Sequence, residues 1–145
     1  MIPRVKVNQK TENGILRIHD KQGNLVAHVY DTNQMEGYIF PTSDKDFFQF
    51  GFSNNLEEKN LKAHIHKDIN RSISKTSEFI FVLTGIIEID VLSDNAEKVE
   101  NVILTEGIGI LQFTGGHKIK IHKETKYFEI KQGPYFGQDS DKVIL

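Results

Sequence analysis

Cysteine and tryptophan are both missing from this chain of 145 residues. Without thiols there can be no disulfide, no zinc–thiolate or iron–sulfur centre and no cysteine nucleophile. Any metal must be held by His, Asp, Glu or amide oxygens. Proline occurs only three times and no linker-like stretch divides the sequence, which reads as one domain over 1–145. No apolar run approaches the ~20 residues that cross a bilayer as a helix. The opening Met1-Ile2-Pro3-Arg4-Val5-Lys6 lacks the apolar core of a secretory signal. Lysine and arginine number 18 against 20 acidic residues, for a net charge of −2, and the basic residues are scattered. They leave no electrostatic footprint for nucleic acid. The expectation is a cytoplasmic protein with neither a membrane nor a nucleic acid as partner.

What the chain does have is short alternating runs separated by turn chemistry, the pattern of strands. The runs at 15–19 and 25–30 flank Asp20-Lys21-Gln22-Gly23-Asn24, a hairpin loop. Further strands are expected at 47–52, 61–66, 78–83, 86–92, 98–104, 108–113, 117–122 and 126–132. No segment carries a helical period over ten residues or more. The class is therefore all-β, as a sandwich or barrel. Residues 67–77 are polar and read as an exposed loop, and 139–142 as a solvated stretch.

Strand parity sorts the six histidines, because residues two apart share a face. His117 shares parity with Ile119 and Ile121 and points inward, either as a core histidine bonded to backbone or as a ligand. His64 and His66 project from one face of one strand, so both rings can reach one ion, although Lys62 shares that face and solvent would suit it too. Glu78 has the parity of Ile80 and Val82. A carboxylate facing a core must be paired or metal-bound, unless it sits at the strand end in water. His19 and His28 read as surface or structural residues, and Gln49 and Arg71 as weak candidates beside a ligand. Lys131 and Tyr135 flank the turn Gln132-Gly133-Pro134 and are weak catalytic candidates.

These residues together resemble the cupin superfamily. Its first motif is His-x-His, a short gap, Glu, six residues and Gly; here His64-Ile65-His66, Glu78 and Gly85 stand in that order. Its second motif places Gly, Gly and His where this chain has Gly107, Gly115 and His117, with Phe113 at the usual proline. Eleven residues separate His66 from Glu78, a lengthened loop. The stretch 128–137 is similar to small bacterial cupins of surface-polysaccharide and nucleotide-sugar pathways.

The resemblance implies a cupin-type double-stranded β-helix, or jelly-roll barrel. Residues 1–35 would be an N-terminal strand extension, about 36–132 the barrel and 133–145 a C-terminal tail. His64, His66, Glu78 and His117 would hold one divalent transition metal ion, Fe, Mn, Zn, Ni or Co. The reaction expected on a carbohydrate or nucleotide sugar is isomerisation or epimerisation, with His117 as acid or base if no metal is bound. A non-catalytic sugar- or effector-binding module and an Fe(II) oxygenase are the alternatives. A homodimer is implied as well.

Overall fold

The computed structural model describes residues 11–145. The first ten residues of the expected N-terminal extension lie outside them. The described chain is all-β. Strands β1 (Ile15–His19), β2 (Leu25–Asp31), β5 (Glu78–Thr84), β8 (Ile108–Gln112) and β10 (Lys126–Lys131) form an antiparallel sheet in the order β1-β2-β8-β5-β10. Strands β6 (Ile87–Leu92), β7 (Lys98–Leu104) and β9 (Gly116–Ile121) form a second, ordered β7-β6-β9. The short β3 (Tyr38–Ile39) and β4 (Phe52–Ser53) pair as a third. One helical turn, α1 (Gln138–Asp141), follows β10.

Alternation explains how the sheets pack. In β6, Ile87, Ile89 and Val91 are fully buried while Glu88, Asp90 and Leu92 are half-buried. The inward residues of the three-stranded sheet meet Leu16, Ile18, Val29, Ile80, Val82, Ile108 and Ile110 of the five-stranded sheet in one core. Their burial is the main source of stability. The first hairpin closes as its residues dictate: Asp20 Oδ1 accepts from the backbone N–H of Gln22 and of Asn24, both at 2.9 Å.

The outer face of the five-stranded sheet is aromatic. Tyr30, Leu111 and Phe79 are covered by Phe48, Phe50 and Phe52, with the Tyr30 and Phe50 rings stacked at 3.9 Å. Residues 47–51, part of an expected strand over 47–52, therefore do other work: Phe48 and Phe50 cap this face, and only Phe52–Ser53 pair in a ladder. Gln49 holds the loop together. It accepts from Thr42 Oγ1 at 2.9 Å and donates to the carbonyls of Ser43 and Asp46.

The expected closed barrel is not formed. Among the described residues, β9 and β10 each have a neighbour on one side only. The strand expected at 61–66 is absent, and residues 54–77 run without regular structure. An alternating segment becomes a strand only when another strand supplies its hydrogen bonds, and here Leu61 and Ile65 stand in solvent.

Candidate functional site

The site lies at one end of the sandwich, where the two sheets face each other. Register puts Glu78 of β5 directly opposite Gln112 of β8 and, on its other side, opposite Lys131 of β10. Glu78 shares the inward face of Ile80 and Val82, and Gln112 that of Ile108 and Ile110. From the other sheet, His117 enters beside Val91 with the inward parity of Ile119. The preceding turn aims it. Gly115 has φ +78, and a Cβ there would overlap the carbonyl of Leu92, so glycine alone fits. Asp94 Oδ1 accepts from the Gly115 N–H at 2.9 Å and from Thr114 Oγ1 at 2.6 Å.

Hydrogen bonding fixes the tautomer of His117. Gln112 is buried, and its Nε2 donates to the carbonyls of Thr114 (3.0 Å) and Gly116 (2.6 Å). Its Oε1 is thereby committed as an acceptor and takes a hydrogen bond from His117 Nδ1 at 2.8 Å. The ring proton sits on Nδ1, and the Nε2 lone pair is free. That lone pair faces Glu78 Oε2 across 3.8 Å, beyond hydrogen-bond distance.

Both groups have displaced pKa values, and burial is the first cause of each. The Glu78 carboxyl is pushed up to about 7, first by desolvation and then by its hydrogen-bonding and like-charge contact with Glu129; Lys131 and Lys142 pull the other way. His117 is held below the ordinary imidazole value, first by desolvation and then by the Lys142 ammonium, with Glu129 opposing. At neutral pH the pair is thus a neutral imidazole beside a carboxyl near its midpoint.

Of the residues singled out from sequence, the fold brings Glu78, His117 and Lys131 together. Tyr135 joins from the segment after β10, its ring 5.1 Å from the Lys131 ammonium. His64, His66 and Arg71 lie on the exposed irregular stretch instead. The two histidine rings are 5.2 Å apart, and His64 Nδ1 bonds the carbonyl of Lys62. Among the described residues, no group of three or more His, Asp or Glu gathers as a metal site. Gln112 was missed in the sequence, although its parity with Ile108 and Ile110 marks it as an inward amide. Glu129 was missed too, although it shares the face of Lys131.

Of the two readings of His28, surface or structural, the fold shows the second: it is buried on the outer face. Its Nδ1 lies 2.8 Å from the Tyr30 hydroxyl, and its Nε2 has no hydrogen-bond partner among the described residues. Desolvation lowers its pKa to about 4. Near it a shallow cleft is lined by Leu25, Phe47, Lys75, Ser77 and Phe113.

No helix among the described residues is long and apolar enough to cross a membrane. Comparison of the chain with protein families, with curated proteins and with solved structures finds no match.

Proposed function

We propose that this chain is a small-molecule enzyme of cupin-like, jelly-roll design that moves a proton beside a carbonyl group, as an isomerase or epimerase of a carbohydrate or nucleotide sugar. The observation that carries the reading is the Glu78–His117 pair: two groups from opposing sheets, 3.8 Å apart, with a free imidazole lone pair facing a carboxyl whose pKa is about 7. A general base and a general acid work best with pKa values near the working pH. In this reading His117 Nε2 takes the proton from the carbon next to the carbonyl, while protonated Glu78 gives its proton to the carbonyl oxygen. Return of a proton to the neighbouring carbon, with loss of one from oxygen, completes the exchange. The Lys131 ammonium, opposite Glu78 in the ladder, supplies positive charge at this end of the site.

The test is proton exchange in deuterated water. Keto sugars, free and nucleotide-linked, are incubated with the protein and followed by NMR. Loss of the C–H signal next to the carbonyl is expected, and Glu78→Gln and His117→Asn should each slow it by roughly a hundredfold or more. Unchanged exchange in both variants would overturn the reading.

A second reading, a divalent metal centre, is favoured by one observation. His117 Nε2 faces the Glu78 oxygen outside hydrogen-bond distance, while Nδ1 is held by an amide as metal-bound imidazoles are. Two of the four expected ligands fit such an ion; His64 and His66 sit on the irregular stretch, so no step is routed through a metal. One equivalent of metal in the purified protein, lost in both Glu78→Gln and His117→Asn, would establish this reading in place of the first.

A further inference from the structure

After β10 the chain folds back across the Glu78–His117 end, and one residue of the returning segment is unlike its neighbours. Gln138, Asp139, Ser140 and Lys142 are exposed. The Asp141 side chain is only 18% exposed, although carboxylates favour water, and its one ion partner among the described residues is Lys131 Nζ at 3.9 Å. Lys131 is itself half-buried, directly opposite Glu78 in the ladder, with the Tyr135 ring beneath its ammonium at 5.1 Å. The ring positions that charge without neutralising it. The segment bearing Asp141 is a single helical turn, closed by the bonds Asp141 N–H to Gly137 and Lys142 N–H to Gln138. Asp141 therefore presents an anion to the site's best-placed cation from a single helical turn whose neighbouring residues are exposed.

We propose that Lys131 is the anion-recognition residue of this site, and that Asp141 occupies in the free protein the place a ligand's carboxylate or phosphate takes on binding. The ligand is then a small molecule carrying an anionic group about one side chain from the reacting carbon. Binding exchanges one carboxylate for another anion at Lys131 and releases segment 137–142. Lys142, which acts on both Glu78 and His117, is released with it, so anion binding and the electrostatics of the pair are linked. The inference rests on the proposed function only for the location of the ligand.

The experiment is an amide NMR titration of the full chain with inorganic phosphate and, separately, with acetate. The native protein should show weak saturable shifts at Lys131 and at 137–142. Asp141→Asn should bind roughly two- to fivefold tighter, the worth of a partly exposed ion pair. Lys131→Met should abolish saturation, and Lys131→Arg, which keeps the charge, should retain it. A response to phosphate but not acetate assigns a phosphoryl group, and the reverse a carboxylate. Equal affinity in native and Asp141→Asn protein, or undiminished binding in Lys131→Met, overturns the proposal. Because no turnover is read, anion binding without C–H exchange would leave Lys131 and Asp141 in these roles and remove only the proton-transfer reading.

Discussion

Glu78 and His117 belong to different sheets and still meet, Oε2 to Nε2, at 3.8 Å. Neither sets the other's pKa. Burial does so for both, with Glu129 and Lys142 as the next charges. The pair is therefore a product of how the two sheets pack, and its properties can be altered from residues that do not belong to it.

Gln112 is the clearest such residue. Gln112→Leu keeps the volume roughly but leaves the Thr114 and Gly116 carbonyls and His117 Nδ1 without their partner. An unsatisfied buried group costs ~1–3 kcal/mol, and these groups are half-buried, so urea denaturation should show a loss of about that size. Nitrogen-15 NMR should show His117 as one tautomer, protonated on Nδ1, in the native protein and as a mixture in the variant. A single unchanged tautomer in the variant would remove Gln112 from this role.

The pH dependence of stability should have contributions of opposite sign, from His28 and His117 on one side and from Glu78 on the other. His28 has its folded pKa lowered from 6.5 to about 4. Between those values the unfolded chain holds a proton that the folded chain lacks, so stability rises with pH across that window. Glu78 has its pKa raised from 4.5 to about 7. There the folded chain holds the extra proton, and stability falls as pH rises. The two slopes oppose each other from about 4.5 to 6.5. With EDTA present, Glu78→Gln should make stability climb more steeply with pH in this window than in the native protein, and His28→Gln should make the slope less positive. Parallel slopes in the two variants would contradict the assignment.

Ile89 and Ile121 both face inward on adjacent strands, yet Ile89 is fully buried and Ile121 is 48% exposed. Ile89→Ala should cost ~2–5 kcal/mol through lost burial and the cavity left behind, whereas Ile121→Ala should cost less than ~1 kcal/mol. Equal losses by thermal or urea melts would mean that something covers Ile121 in solution.

Asp94 ties three pieces together: Lys75 at the root of the irregular stretch (3.0 Å), Thr114 and Gly115. These bonds hold its carboxyl below the usual range, the Thr114 hydroxyl first and then Lys75. Asp94→Ala should destabilise by ~1–2 kcal/mol and speed tryptic cleavage at Lys75. Unchanged cleavage kinetics would show that the root is held by other contacts.

Eight of the expected strands could be read from alternation because their apolar partners are real neighbours in the fold. The inward direction of Glu78 and His117 followed from the same parity. The pattern 61–66 alternates equally well and forms no strand. Alternation states which face is apolar but not whether another strand is present to accept the bonds. In 47–52 the phenylalanines announced burial correctly for Phe48, Phe50 and Phe52 and the element wrongly, since aromatic residues cover a sheet from a loop as well as from a strand. Asp141 gave no local signal, because its meeting with Lys131 depends on the path of the chain after β10.

The irregular stretch 54–77 has one more consequence. It joins two parts that are held together without it, since β2 is hydrogen-bonded along its length to β8, from Ala27 opposite Gln112 to Asp31 opposite Ile108. The Phe48 and Phe50 side chains are packed against Leu111 and Phe79 from the far side of the junction. Cutting the chain in this exposed stretch removes no ladder bond and no core contact. Two fragments, one ending near residue 53 and one beginning near 77, are therefore expected to recombine into one fold when mixed, which circular dichroism of the mixture against the separate pieces would check. The tether between them can then be lengthened, replaced or exchanged without touching the pair Glu78 and His117.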